Sequence, residues 1–274
     1  MYSLVRAISA ASLLLAASAA PAAAQNIALP VTYEDFLYSG TAAGNYGGSA
    51  GSGQPDFQSF GCGLTTGLAG STLVGGVPVF GPNGSACLSS AASFSQWYQN
   101  TPGINVTLPG SLALSNIGGN TYHYGNSNFF PIDGQGFNSA GFQSDPGLDS
   151  NLHNFAFTTQ WTGEVDDPLQ DISITSADDA WLFADGHLIM DLGGVHGVVT
   201  GSAAAVGFLP QIGASLGDNV TFDVFYAQRH TIVSEFDLTT DIAPSVPEPG
   251  TASLAGPGIG LIVLTHRRRP VRLA

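Results

Sequence analysis

A handful of residues combine type and spacing in a way that could do chemistry, and most lie in the second half of the chain. Asp178-Asp179 sets two carboxylates side by side. They could give oxygen ligands to a hard cation, or be the acidic residues of a solvated turn. Consecutive side chains of an extended strand point to opposite faces. A shared ligand therefore requires an unusual backbone between them, such as a cis bond, which costs about 3 kcal/mol. Glu235 adds a third carboxylate, as a ligand or as an ion-pair partner for Arg229. Arg229 itself suits a loop anchor held by a buried carboxylate, with His230 beside it. His196 sits in Gly193-Gly194-Val195-His196-Gly197, a turn that needs unusual backbone angles, where it can bond the backbone or contact a ligand. Asp185 and Asp191 read as turn and strand-end residues.

Catalytic patterns are weak by comparison. Gly47-Gly48-Ser49-Ala50-Gly51 has the form Gly-x-Ser-x-Gly but lies in a Gly/Ser-rich loop without the strand and helix of a nucleophile elbow. There is no phosphate loop or dinucleotide fingerprint, and no His-x-x-x-His zinc spacing. Two separated carboxylates suffice for glycoside cleavage, yet nothing singles out such a pair. An enzyme is therefore not expected. All six basic residues are arginines in a chain of net charge −14. That excludes phosphate neutralisation by clustered cations, and with it a nucleic-acid partner.

The elements that must position these groups are β-strands. Only 9 % of the residues are charged, and 36 are glycine. Runs rich in Phe, Ile, Val and Thr predict strands over His153–Trp161, Leu169–Thr175, Ala180–Ala184, His187–Leu192, Asn219–Gln228 and Phe236–Ile242. Asp185-Gly186 makes a hairpin turn between two of them. Helical spacing appears only over Ala91–Asn100, with Phe94, Trp97 and Tyr98. The expectation is all-β: one domain over 26–243, a sandwich built mainly by the second half, with long loop insertions in the first. Cys62 and Cys87 lie in this part and form a disulfide in an oxidising compartment.

Both ends read as addresses. Arg6, the apolar run Ala7–Ala19 and Ala22-Ala23-Ala24 before Gln25 make residues 1–24 a secretory signal peptide. At the other end, Val246-Pro247-Glu248-Pro249-Gly250-Thr251 precedes the apolar stretch Ala252–Leu264 and His266-Arg267-Arg268-Arg269. This order over 246–272 resembles the Pro-Glu-Pro C-terminal sorting signal (PEP-CTERM) of Gram-negative bacteria. The resemblance implies cleavage by a membrane-embedded exosortase, contact with the membrane only in transit, and a secreted or cell-surface destination. Pro257-Gly258 departs from an unbroken apolar helix. Residues 25–247 carry nineteen carboxylates against Arg229 alone, a charge of −18. Such a surface attracts divalent cations.

Longer motifs run through the domain. Ser176-Ala177-Asp178-Asp179-Ala180-Trp181-Leu182-Phe183 leads into Asp185-Gly186-His187 and Asp191-Leu192-Gly193-Gly194-Val195-His196-Gly197. Phe225-Tyr226-Ala227-Gln228-Arg229-His230-Thr231 is followed by Ser234-Glu235-Phe236. Phe60–Gly67, Phe94–Tyr98 and Phe129–Gly136 fit the same pattern. Over about residues 30–242 the chain resembles the fibro-slime domain, a relative of the β-sandwich first named from anthrax protective antigen. The resemblance implies a surface or matrix protein that binds extracellular polysaccharide. In related adhesins two adjacent aspartates hold Ca²⁺, which then holds sugar hydroxyls. Carried over, Ca²⁺ is the cofactor, Asp178 and Asp179 hold it, and the Arg229–Glu235 loop completes the shell through Glu235. Trp181, His196, Arg229 and His230 become the candidate ligand contacts; Trp181 and Tyr226 could stack on sugar faces or equally belong to the core. Two departures matter: the family has three acidic residues where this chain has Ala177-Asp178-Asp179, and Asn where it has Glu235. A purely structural matrix protein is the first alternative, and a carbohydrate-active enzyme the second.

Overall fold

The computed structural model describes residues 26–37, 53–57, 61–119, 121–137, 145–166, 172–230 and 232–241. Both expected addresses and the Gly-x-Ser-x-Gly loop lie outside them. Twelve strands are present: β1 (Ile27–Phe36), β2 (Asn105–Gly118), β3 (Thr121–Asn126), β4 (Asp145–Pro146), β5 (Leu152–His153), β6 (Phe157–Asp166), β7 (Ile172–Ser176), β8 (Asp179–Ala184), β9 (His187–Leu192), β10 (Val199–Ala203), β11 (Asn219–Gln228) and β12 (Phe236–Thr240). Two helices are short, α1 (Ala91–Phe94) and α2 (Ala205–Ile212). The protein is all-β. Ten strands form one sheet in the order β10-β7-β12-β3-β2-β1-β6-β11-β8-β9, while β4 and β5 pair alone. Every pairing is antiparallel. The end strands β9 and β10 lie side by side, so the sheet curls nearly into a barrel.

Strand β2 makes the turn in this wrap. Asn105–Leu114 pairs with β1, and Ser115–Gly118 pairs with β3 across a register shift. Over its first ten residues β2 has a partner on one side only. Pro109, which lacks an N–H, is tolerated on such an edge. Gly110 is required there by the Tyr33 ring, which an added Cβ would meet at 2.2 Å.

Burial separates the sheet into two kinds of strand. In β7 and β12 the side chains alternate: Ile172, Ile174, Phe236 and Leu238 face the interior, while Ser173, Thr175, Asp237 and Thr239 are half-buried. Strand β8 has no polar face, because every residue of it is buried. Ala180 and Leu182 join the inner core with Trp161, Tyr226 and Phe236. Trp181 and Phe183 join a second core on the outer face with Phe57, Phe94, Trp97, Tyr98 and Phe225. A segment from the first half of the chain thus covers the outside of β6, β11 and β8. Burial on both faces explains the continuous Ala-Trp-Leu-Phe-Ala run.

Seven of the sheet's ten strands come from the second half, while the first half supplies β1, β2 and β3 as well as the cover. One expectation needs correction. The helix at Ala91 stops at Phe94. Ser90 caps it by accepting from Ser93 N, and Trp97 and Tyr98 follow in turns whose work is aromatic packing onto Trp181 and Phe225.

Candidate functional site

The paired aspartates stand where the cover meets the sheet. Their peptide is trans, and Asp178 adopts φ 65°. That is the left-handed region, which Asp enters more readily than most side chains. Ser176 Oγ supports the bend by donating to the Asp178 carbonyl at 3.0 Å. The turn brings both carboxylates to Arg229, which answers the opposite-faces problem without a cis bond.

Each carboxylate oxygen is then met by N–H donors. Asp178 Oδ2 accepts from Arg229 N at 2.7 Å, His230 N at 2.9 Å and Gln228 Nε2 at 3.2 Å. Asp178 Oδ1 accepts from His196 N at 3.2 Å. Asp179 Oδ1 accepts from Gly194 N at 2.6 Å, and its Oδ2 pairs with Arg229 Nη1 at 3.1 Å. Both aspartates and Arg229 are buried, Arg229 and Asp179 completely.

Arg229 fastens these groups to the cover. Its Nε donates to the Asp56 carbonyl at 2.9 Å, and Nη2 donates to the Cys87 carbonyl at 2.8 Å. Its guanidinium lies 4.9 Å from the Trp97 ring centroid. Asp56 holds the cover together by accepting from Ser89 N at 2.7 Å and Trp97 Nε1 at 3.2 Å, and from Ser93 Oγ. Cys62 and Cys87 form the expected disulfide. Its sulfurs join the same network: Cys62 accepts from Val195 N at 3.2 Å, and Cys87 from Arg229 Nη1 at 3.5 Å. Gly194 has to be glycine in this joint. Its φ is 112°, and a Cβ would lie 2.1 Å from the Gly63 carbonyl oxygen.

The other candidates fall into place around the joint. Trp181 is not available to stack on a ligand: it is fully buried and donates through Nε1 to Asp191 Oδ1 at 2.9 Å. Tyr226 is fully buried as well. His196 lies half-buried, with Nδ1 at 2.7 Å from the Gly197 carbonyl and Nε2 at 3.0 Å from that of Leu192. Burial holds His230 below the usual histidine value, and its Nδ1 meets no partner among the described residues. Glu235 is half-buried, and its carbonyl accepts from Ala177 N at 3.0 Å.

These residues do not fit a calcium centre. Ca²⁺ needs six to eight oxygen ligands. Here the oxygens of both aspartates face hydrogen-bond donors, and a guanidinium stands against Asp179. Among the described residues no three His, Cys, Asp or Glu side chains are grouped to hold a metal ion. Asp178 and Asp179, expected as metal ligands with Glu235, instead spend their carboxylate oxygens on these hydrogen bonds and the Arg229 ion pair. What the arrangement can do is lock elements together.

Sequence reasoning missed the cover's half of the joint, Asp56 and Gln54. Gln54 Nε2 donates to the Ser93 carbonyl at 2.7 Å. It also missed a second polar cluster. His153 lies between Asp133 at 2.5 Å and Asp149 at 3.0 Å, with its ring stacked on Phe130 at 3.7 Å. The Phe129–Gly136 motif was the available signal, but it names only one side of that cluster.

Burial also sets a pH dependence. It pushes Asp178 up to about 8, chiefly by desolvation and against the donation from Arg229 N. Desolvation raises Asp35 to about 6, against bonds from Asn154 and Phe137. Both values exceed the unfolded carboxylate value of about 3.9, so the folded chain binds more protons. The stability they contribute is fully present below about pH 4 and is lost as pH rises through the folded values. Denaturant titrations should therefore show a more stable fold at pH 5 than at pH 8. The slope should approach ~1.4 kcal/mol per pH unit per titrating group. Asp35→Asn should flatten the part of the curve below about pH 6.

No family model matches the chain. Three proteins of Dictyostelium discoideum are similar to it. Protein psiR is 32 % identical over 70 % of this chain and 20 % of its own length. Protein psiQ is 34 % identical over 68 % of this chain and 19 % of its own, and protein psiD 33 % over 58 % and 31 %. The chain thus spans about a fifth to a third of the length of these relatives. An α-xylosidase of Xanthomonas citri aligns over 50 % of the chain with a TM-score of 0.26 and 11 % identity, too slight a likeness to bear on fold or activity.

Proposed function

We propose that the chain carries the folded module of an exported, fibro-slime-type protein that works at the cell surface or in an extracellular matrix. In this reading it adheres to extracellular polysaccharide and does not catalyse a reaction. The observation that carries the proposal is the disulfide inside the joint, with Cys87 and Cys62 both bonded to the elements they staple. Such a staple belongs to an oxidising compartment. The signal and sorting patterns at the two ends support the same destination.

Adhesion to a neutral, hydroxyl-rich polymer is supported by a groove of about 260 Å³ on the outer face of β1, β6 and β11. Thr32, Gln160 and Thr162 line it beside Pro30 and Phe225, under the Gly76 turn, with Gln160 Nε2 donating to the Tyr98 carbonyl and Thr162 Oγ1 to Asp223. Concave sites with a few polar groups on an apolar floor are what small ligands use.

The full chain should be expressed in a Gram-negative host and the extracellular and membrane fractions analysed. The expected product begins at Gln25, has no reactive thiol, and is retained on exopolysaccharide. Retention should weaken in a Thr32→Val plus Gln160→Ala variant. A cytosolic product that keeps Met1 and labels at two thiols overturns export. An exported product with no affinity for exopolysaccharide overturns adhesion and leaves a structural matrix role.

A further inference from the structure

We propose that Arg229 is the resident cation of the paired-aspartate site, standing where a metal ion would stand, and that the joint between cover and sheet is metal-independent. The inference goes beyond the functional reading above and does not depend on it. Three observations carry it. The guanidinium reaches Asp179 directly, at 3.1 Å, in a place where neither side chain touches solvent. The same residue's backbone N–H binds Asp178 at 2.7 Å, so one residue engages both aspartates. The remaining donors, from Gly194, His196, Gln228 and His230, surround the carboxylates on their other sides.

The charge balances without a divalent ion. Asp179 has the guanidinium, while the N–H dipoles of Arg229, His230, Gln228 and His196 supply partial positive charge around Asp178. A planar guanidinium also meets its partners in fixed directions. Its separate N–H groups reach the Asp56 carbonyl, the Cys87 carbonyl and the Asp179 carboxylate together. Fixed directions of this kind are why arginine suits buried polar junctions. The acidity of the chain, with Arg229 its only basic residue between 25 and 247, then has a specific use inside the fold.

The test uses the mature chain with its disulfide intact. Thermal melts in millimolar CaCl₂ and in EDTA should superimpose, and calorimetry should give no 1:1 calcium isotherm. A ligand that bound only the folded state would raise the melting temperature with concentration, so a calcium-dependent rise overturns the proposal. Arg229→Gln should melt lower. Asp179→Asn and the Asp179→Asn plus Arg229→Gln double variant complete the cycle. The double variant should lose less than the two single losses combined, because each single change leaves a buried group without its partner; if Arg229→Gln alone does not fold, the double variant should still be the more stable of the two. Additive losses would overturn the pairing.

Discussion

Arg229→Met should cost the folded chain about 3–5 kcal/mol, the loss typical of a buried ion pair broken on one side. The figure is large because both partners are removed from water: Arg229 and Asp179 side chains are 0 % exposed. Methionine keeps much of the side-chain length but leaves the Asp179 carboxylate without its cation. It also leaves the Asp56 and Cys87 carbonyls without the donors they meet now. The loss should be local before it is global. The cover rests on Trp97, whose ring faces the guanidinium and packs 6.2 Å from Trp181. Near-UV circular dichroism of the tryptophans and hydrogen exchange over 61–104 should respond before exchange in β3 and β10. Adding Asp179→Leu should restore part of the stability, because an apolar pair can replace a buried ionic one at little cost. A single variant that melts within about 1 kcal/mol of the parent would show that the pair contributes no more than a surface one.

How far the sequence could be read depends on what each residue faces. Strands β9 and β11 match their sequence bounds because turns flank them closely: Asp185-Gly186 ends one hairpin, and Gly217 with φ 91° precedes the other. Strand β2 was hidden. Pro109 and Gly110 stand at its centre, and the edge beside it and the Tyr33 ring above it explain those residues. At the site, the positions stood out but the chemistry did not. Asp178, Asp179, Arg229 and His196 do converge, over sequence separations of up to 51 residues. What sequence could not give was the direction of the donors. Whether adjacent aspartates hold an ion or a guanidinium depends on one left-handed residue and on which backbone N–H groups it faces. Trp181 stayed open between ligand contact and core for the same reason. An indole beside a proposed site looks like a stacking platform until a cover from the first half of the chain is laid over it.

Replacing Cys62 and Cys87 together by serine should lower stability by about 3 kcal/mol. In the chain-entropy account this is the scale for closing a loop of such length, here a separation of 25 residues. For a domain of this size that corresponds to a fall of roughly 6–12 °C in Tm. The arithmetic understates what the bond holds. The loop it closes is not a free excursion. Gly63 N bonds the Val195 carbonyl at 2.9 Å and Thr65 N the Gly193 carbonyl at 2.6 Å, which ties it to the Gly193–Gly197 turn. That turn in turn supplies the Gly194 and His196 donors of the paired aspartates. Freed of the disulfide, the Cys87 segment keeps Arg229 only through its carbonyl, and the Cys62 segment loses its sulfur contact with Val195. The serine variant should therefore open to proteases first within 61–88, with the ten-stranded sheet still protected. Combined with Arg229→Met it should lose less than the two separate losses together, because both changes release the same piece of chain. Additive losses, or first cleavage outside 61–88, would show that the disulfide and Arg229 stabilise separate parts of the molecule.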